Sequence, residues 1–261
     1  MKIRWLGWAG VEIEQQGEHI VIDPLEDATA VFAWTGMAPA EMTPPEVTPP
    51  RGAASAGLIT HLHRDHADAA ALSQALSLQA AVYEPEGYDG GAAEQLAIAQ
   101  ADHELTAAGL ERRPTAPWTT TTIGPFRVTA LPAVDGSGDP QVSWLVEASG
   151  KRVLHLGDTI FHGWWWRITE RFGAPDVLLA PINGARVSFP HRQPASPLPA
   201  VMDPEQAALA AELLQADHLV PIHHEGYSLP GLYEPVTDAL RRLTSARSRV
   251  TTLGLGESIE T

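Results

Sequence analysis

The sequence contains no cysteine among its 261 residues. Disulfide bonds, thiolate metal ligands and cysteine nucleophiles are therefore excluded, and any bound metal must use nitrogen and oxygen ligands. The chain also lacks a run of eighteen apolar residues, so we expect neither a membrane-spanning segment nor a membrane partner. Hydrophobic residues make up 44% of the sequence, which is typical of a globular protein with a large core.

Basic residues are few as well. The sequence has 17 Lys and Arg against 32 Asp and Glu, giving a net charge of -15. Because Lys and Arg supply most of the affinity for polyanions, we do not expect nucleic acid as a partner, although a local cationic pocket can still bind a small anionic substrate. The N-terminus enters an apolar strand pattern without the features of a signal peptide, which predicts a cytoplasmic location. A homo-oligomer is left open.

Hydrophobic patterns predict short strands that deliver polar residues at their ends. A single domain over residues 1–261 fits the length, with Pro-rich loops at about 27–52 and 183–202 that overhang a site. The predicted strands cover 3–6, 11–14, 19–22, 57–60, 81–83, 152–156, 176–180 and 218–222, with a further strand series over 118–146. The predicted helices cover 68–78, 92–100, 203–214 and 233–243.

Three imidazoles and a carboxylate lie within six residues, directly after an apolar strand: His61, His63, Asp65 and His66. Zinc binds such groups at about 2.0–2.2 Å, and a short loop holds them together at low entropic cost. The alternative is a solvated polar loop whose histidines cap the following helix. The isolated histidines are expected to be surface or hydrogen-bonded core residues: His19, His103, His155, His191 and His218.

The run His61-Leu62-His63-Arg64-Asp65-His66 resembles the HxHxDH signature of the metallo-β-lactamase fold superfamily. Three further segments resemble motifs of that superfamily in the same order: Ile22-Asp23-Pro24, Leu156-Gly157-Asp158-Thr159 and Pro221-Ile222-His223. The likeness is greatest to the branch that contains L-ascorbate-6-phosphate lactonase and N-acylphosphatidylethanolamine phospholipase D-like proteins. The resemblance implies an α/β fold, a four-layer αββα sandwich, with metals at the edge where the loops converge.

The same resemblance implies two divalent metal ions, zinc first, with manganese or iron as alternatives. The first ion is expected on His61 and His63, and the second on Asp65, His66 and His223. Asp158 is expected to bridge the ions, and Asp23 to support the site from behind the ligands. The implied reaction is hydrolysis of an ester, lactone, amide or phosphodiester bond in a small molecule by metal-bound hydroxide.

Two positions depart from the superfamily pattern. Asp135 stands where a further first-metal histidine is usual, and it is predicted either to bind that metal or to belong only to a turn with Gly136 and Gly138. Trp8 stands where many relatives have a histidine. Its ring is expected to pack under the loop of residues 61–66, which we call the metal loop, without the polar group of a histidine. These departures leave open a metal-binding protein that has lost catalysis. A metal-dependent oxidoreductase or nuclease is a weaker alternative.

Catalytic and substrate-binding residues are predicted from the neighbourhood of these motifs. Asp65 is expected to take part in catalysis as well as in metal binding, and His162 is a candidate general acid or oxyanion donor. Trp164 and Trp165 are predicted to line the pocket, with core packing as the alternative. Asn183 and Arg186 are predicted to hold a polar or anionic part of the substrate, unless Arg186 is a surface residue.

Overall fold

The computed structural model describes residues 1–32, 44–88, 90–92, 94–224, 227–245 and 247–261. The strands are, in chain order, β1 (Lys2–Gly7), β2 (Gly10–Gln15), β3 (Glu18–Ile22), β4 (Ala54–Leu58), β5 (Leu76–Pro85), β6 (Glu111–Thr115), β7 (Thr120–Ile123), β8 (Phe126–Pro132), β9 (Val142–Ala148), β10 (Lys151–His155), β11 (Val177–Pro181), β12 (Arg186–Val187), β13 (His218–Ile222), β14 (Tyr233–Glu234), β15 (Arg249–Val250) and β16 (Ser258–Glu260). The helices are α1 (Ala28–Phe32), α2 (Ala69–Ala75), α3 (Ala99–Ala107), α4 (Trp165–Phe172), α5 (Pro204–Leu214) and α6 (Ala239–Arg242).

Most of the strands form two seven-stranded sheets. The first sheet has the order β16-β1-β2-β3-β4-β5-β6, in which β1 to β3 are an antiparallel meander and β3 to β6 run parallel. The second sheet has the order β15-β13-β11-β10-β9-β8-β7, and β10, β11, β13 and β15 run parallel within it. Parallel strands end at the same edge of a sheet, so each sheet gathers several loops at one edge.

The two sheets pack face to face and helices cover their outer faces. Ile13 and Ile22 of the first sheet and Trp144 and Leu179 of the second belong to one apolar cluster, which joins the inner faces. A second cluster packs α4 and α5 onto the second sheet, and a third packs α2 and α3 onto the first sheet. Burial of these apolar surfaces is the main favourable contribution to folding. The predicted αββα sandwich is confirmed.

The helix predictions succeeded where capping residues marked the start. Asp203 caps α5 by accepting a hydrogen bond from the backbone nitrogen of Gln206, and Pro204 occupies the first turn. Asp68 caps α2 in the same way, accepting from the backbone nitrogens of Ala70 and Ala71.

Two predicted helices were wrong in position, and α4 was not predicted. The helix predicted over 92–100 begins only at Ala99, because the buried positions that follow a helical spacing are Ile98, Ala101 and Leu105. The helix predicted over 233–243 is reduced to α6, because Tyr233 pairs with Val187 in a small two-stranded sheet.

The two Pro-rich loops contain short regular elements. The first includes α1, and its residues 33–43 lie outside the described residues. Its later part is tied to β1, since the backbone nitrogen of Thr48 donates to the carbonyl of Leu6 and Arg4 donates to the carbonyl of Pro49. The second loop contains β12. None of the described helices has the length and apolar character needed to cross a membrane.

Candidate metal centre

One group of ligand side chains forms where loops from both sheets meet. Asp65 and His66 lie on the loop after β4, Asp158 lies after β10 and His223 directly after β13, with one ligand atom of each within 4.8 Å of the others. The Nε2 atoms of His66 and His223 lie 3.3 and 2.9 Å from separate oxygens of Asp158. Both nitrogens also lie 3.6 Å from Oδ2 of Asp65. Two imidazoles and two carboxylates thus converge on one point, and we call these four side chains the second-metal group.

The other group, which we call the first-metal group, adjoins this one. His61, His63 and Asp135 each place one ligand atom within 4.8 Å of the others. The ring centroids of His61 and His63 are 4.4 Å apart, and those of His61 and His66 are 4.2 Å apart, which makes the two groups neighbours. Nε2 of His61 is buried and has no hydrogen-bond partner among the described residues. The structure therefore brings together all seven side chains predicted as metal ligands.

Asp23 holds the metal loop from behind. It follows β3, and its Oδ1 accepts a hydrogen bond from the backbone nitrogen of Thr60 at 2.8 Å. Its Oδ2 accepts from Oγ1 of Thr60 at 2.6 Å and from Nδ1 of His66 at 2.8 Å. A carboxylate bound to one imidazole nitrogen orients the other nitrogen towards a metal. Gly157 allows the next loop to approach, since a Cβ there would lie 2.8 Å from Cβ of Thr60.

Trp8 contacts two ligands of the second-metal group, Asp65 and His223. Its indole nitrogen donates to Oδ2 of Asp65 at 3.0 Å, and its ring lies against His223 with centroids 3.8 Å apart. The expected packing under the metal loop is present, but the expected loss of a polar contact was wrong because the indole N–H supplies one.

His224, the residue after His223, belongs to neither ligand group and stacks on Trp5 with centroids 5.5 Å apart. Burial lowers the pKa of His224 to about 4.

Asp135 belongs both to a turn and to the first-metal group. Its Oδ2 accepts hydrogen bonds from the backbone nitrogens of Ser137 at 2.7 Å and Asp139 at 3.0 Å. The turn requires glycine at position 136, because a Cβ there would lie 2.2 Å from the carbonyl oxygen of Ala200. The turn thus presents Asp135 to His61 and His63, and the two interpretations of Asp135 are compatible.

The charges of these buried groups suit a bound cation. Burial raises the pKa of the Asp158 carboxyl, but the imidazoles of His223 and His66 outweigh this effect and hold that pKa well below its usual value. Burial opposes protonation of His66, yet Asp158 and Asp65 raise its pKa well above the usual value. At His61, burial lowers the pKa well below the usual value. Nitrogen and oxygen donors with several buried carboxylates fit divalent ions such as zinc.

A cavity that is partly open to solvent lies over both groups. His63, Asp65, Asp135 and Asp158 contribute to its floor. Its walls are largely apolar, and the second Pro-rich loop contributes to them. The wall residues include Leu96, Val187, Phe189, Val201, Tyr227 and Tyr233. A mostly apolar cavity over a polar floor is typical of a site for a small molecule.

The structure does not bring four of the predicted catalytic or substrate-binding residues to this cavity. The ring of His162 stacks on Trp165 with centroids 3.8 Å apart, and burial lowers the pKa of His162 to about 4. Trp165, the first residue of α4, is fully buried in the core, while Trp164 is 40% exposed and packs edge-on against Trp118. Arg186 is exposed and donates to the carbonyl of Pro197. None of these four residues lines the cavity.

Asn183 lies behind the cavity wall rather than on it. Its Nδ2 donates to the hydroxyl oxygen of Tyr233 at 2.7 Å, and its Oδ1 accepts from the backbone nitrogen of Ala185 at 3.3 Å. The second bond fixes which end of the amide faces Tyr233. Any influence of Asn183 on a substrate therefore passes through the tyrosine.

Sequence reasoning missed three polar residues beside the ligands: Tyr233, Asp139 and Arg192. Oδ2 of Asp139 accepts from Nε2 of His63 at 2.9 Å and from Nη2 of Arg192 at 2.7 Å. Asp139 follows Asp135 by four residues in a glycine-rich turn, which was a weak signal. Arg192 lies on the loop predicted to overhang the site, but its pairing depends on the tertiary fold.

Two packed sheets with helices outside and two ligand groups at the shared edge define the metallo-β-lactamase class of folds. The family model described as "Beta-lactamase superfamily domain" matches residues 18–224, and the chain belongs to this family. A UPF0173 metal-dependent hydrolase of Thermococcus kodakarensis is 27% identical over 268 residues, covering 100% of this chain and 99% of the relative.

Two solved structures share the fold. Igni18, a metallo hydrolase from Ignicoccus hospitalis, has a TM-score of 0.65 and 22% identity over 99% of this chain and 97% of its own. An isothiocyanate hydrolase from Delia radicum gut bacteria has a TM-score of 0.67 and 17% identity, covering 100% of this chain and 99% of its own. The prediction of a metal-dependent hydrolase is confirmed at the level of enzyme class. The narrower likeness to the lactonase and phospholipase D-like branch stays a prediction.

Proposed function

We propose that the protein hydrolyses a carbonyl-centred bond, in an ester, lactone or amide of a small molecule, at a centre of two divalent metal ions. The observation that carries this proposal is the adjacency of two ligand groups, each gathered within 4.8 Å, on the floor of one cavity. Two bound ions would lower the pKa of a water molecule and polarise the oxygen of the bond to be cleaved. We take zinc as the first candidate, with manganese or iron as alternatives.

The ligands divide between the two ions by their grouping. His61, His63 and Asp135 would hold the first ion, and Asp65, His66 and His223 the second, with Asp158 shared. Trp8 and Asp23 fix ligand orientation through hydrogen bonds to Asp65 and His66.

Tyr233 is placed to donate a hydrogen bond to a substrate oxygen. Its hydroxyl oxygen already accepts from Asn183, so its own proton is left to point towards another acceptor. The ring lines the cavity, and Asp158 and Asp65 are close enough to affect its titration. Burial, with Asp158 and Asp65 adding to its effect, raises the pKa of Tyr233 well above the usual value, so the hydroxyl keeps its proton. A positioned donor stabilises charge that develops on the carbonyl oxygen.

The cavity walls favour a carbonyl substrate over a phosphodiester. Leu96, Phe189 and Val201 provide apolar surface for the body of the substrate. The two arginines that line the described cavity each have their charge paired with a carboxylate, Arg192 with Asp139 and Arg64 with Glu104. Because these two charges are already paired, binding of an anionic phosphodiester would depend mainly on the metals.

The test is a substrate panel assayed with the zinc-loaded protein. The panel contains p-nitrophenyl acyl esters of increasing chain length, aliphatic lactones, acyl anilides and bis-p-nitrophenyl phosphate. We expect the highest kcat/KM on an ester or lactone with an apolar body, and loss of turnover in the D65A variant. Undiminished turnover and metal content in D65A would falsify the proposal, and a phosphodiester as the preferred substrate would overturn the choice of bond.

One observation favours a second candidate, a metal-binding protein without catalysis. Asp135 stands in place of a usual histidine, and its Oδ2 is already occupied by two backbone hydrogen bonds. A weak first-metal group would leave a single ion on Asp65, His66, Asp158 and His223. Elemental analysis separates the candidates, because two metals per chain support the enzyme, whereas one or none supports the second candidate. A cytoplasmic location and the absence of a nucleic-acid or membrane partner remain predictions.

A further inference from the structure

The side chain of Asp139 is fully buried between a metal-binding residue and the cavity wall. Its Oδ2 accepts a hydrogen bond from His63 on one side and from Arg192 on the other, at 2.9 and 2.7 Å. A buried carboxylate needs a compensating charge, and the Arg192 guanidinium, whose side chain is 29% exposed, supplies it. Asp139 therefore connects His63 with Arg192 on the cavity wall.

The bond to Asp139 determines how His63 can bind a metal. A carboxylate only accepts hydrogen bonds, so it keeps a proton on Nε2 of His63. The lone pair of the neutral imidazole is then on Nδ1, which is left for the first ion. The position of Asp139 thus sets both the tautomer and the orientation of His63.

Arg192 belongs to the part of the second Pro-rich loop that covers the cavity. This segment, residues 186–201, is anchored near both ends by backbone hydrogen bonds, from Ser188 to Leu232 and from Ala200 to Ala185. Between these anchors, the backbone nitrogen of Arg192 donates to the carbonyl of Phe189, a wall residue. The Arg192–Asp139 ion pair therefore ties the middle of the segment to the turn at Asp135 and, through Asp139, to His63.

We propose that Arg192 is a positioning residue that acts through Asp139 on His63 and so couples the segment 186–201 to the first metal ion. The inference rests on the proposed two-metal centre. Coupling of this kind is reciprocal: ordering the segment strengthens binding of the first ion, and binding of that ion orders the segment.

The experiment compares R192M with wild type and with R186M. Arg186 lies in the same segment but donates to Pro197 and not to Asp139, so R186M controls for loss of a loop arginine. Zinc affinity of both sites is measured by chelator competition, and amide hydrogen exchange of residues 188–199 is measured with and without zinc. We expect R192M to weaken one of the two zinc sites by about tenfold and leave the other unchanged. Zinc should slow exchange of the segment in wild type and R186M but not in R192M.

The conservative variant R192K protects the test from a general folding defect. Because lysine keeps the charge that faces Asp139, R192K should recover part of the zinc affinity that R192M loses. Equal zinc affinity and equal zinc-dependent protection in R192M and wild type would overturn the coupling. Equal losses in R186M and R192M would also overturn it. Failure of the proposed two-metal centre is a separate result, since wild type would then bind fewer than two zinc ions.

Discussion

The indole nitrogen of Trp8 donates a hydrogen bond to Oδ2 of Asp65 while the ring of Trp8 packs on His223. These two contacts connect two residues of the second-metal group that are far apart in sequence. Trp8 is fully buried, and its carbonyl oxygen accepts a hydrogen bond from the backbone nitrogen of His223. A tryptophan at this position therefore supplies both the hydrogen bond and the packing surface that orient the ligands.

Removal of that indole hydrogen bond should weaken metal binding. W8F keeps an aromatic ring but leaves Asp65 without its donor, and we expect zinc affinity at one site to fall about tenfold. W5F is the matched control, because Trp5 is also buried and its indole nitrogen donates to the carbonyl of Trp8. Chelator competition on the two variants measures the difference. If W5F and W8F lose the same affinity, the contact with Asp65 is not responsible.

Loss of the Tyr233 hydroxyl should reduce turnover with little effect on substrate affinity. Y233F removes the donor proposed for the substrate oxygen, and we expect kcat to fall by about a hundredfold with KM nearly unchanged. Steady-state kinetics on the preferred ester or lactone provides the measurement. Y83F is the control, since the hydroxyl of Tyr83 accepts from Arg113 away from the cavity. A rise in KM at constant kcat would instead assign Tyr233 to ground-state binding.

A methyl group at Gly136 should displace the turn that carries Asp135. The added Cβ would meet the backbone of Ala200, which cannot move aside as a flexible side chain can. We expect G136A to lose about 1–3 kcal/mol of unfolding free energy and part of its first-site metal affinity. G163A, where a Cβ meets nothing within 4 Å, should be close to wild type in both denaturant unfolding and metal content. Unchanged stability in G136A would contradict the packing described for the turn.

His162 should make the fold less stable in mild acid. Burial lowers its pKa from 6.5 to about 4, so as the pH falls below about 6.5 the unfolded chain takes up the proton before the folded chain does. Stability is therefore lost between pH 6.5 and 4. Between pH 7 and pH 5, H162Q should lose less stability than wild type, by on the order of 1 kcal/mol.

Denaturant unfolding at the two pH values, with EDTA present to remove metal, measures that difference. H103Q is the control, because His103 is exposed on α3. A pH dependence in H162Q equal to that of wild type would show that the buried ring of His162 does not resist protonation.

The sequence predicted the ligand set because its members are local or sit at strand ends. His61, His63, Asp65 and His66 share one loop, and Asp158 and His223 each follow a buried strand. Apolar runs and alternation identify these strands from the local sequence, and parallel strands end at a common edge of the sheet. Asp139 carried only the weak signal of its glycine-rich turn and Arg192 carried none, because their ion pair depends on how the second Pro-rich loop packs over the turn at Asp135.

The three adjacent tryptophans show a second limit of sequence reasoning. Trp164 and Trp165 were predicted to line the pocket, but Trp165 and Trp166 lie in α4 with Trp164 directly before it. Successive residues of a helix point about 100° apart, so three neighbours cannot share one face. Trp165 packs into the core, whereas Trp164 and Trp166 are 40% and 59% exposed.

The second-metal group draws on both sheets, since Asp65 and His66 follow a strand of the first sheet while Asp158 and His223 follow strands of the second. A cation held by all four must dissociate before the halves of the sandwich can come apart. Denaturation and metal release would then become a single event, and the free ion would favour the native state by mass action. Heat tolerance should rise with the concentration of that ion.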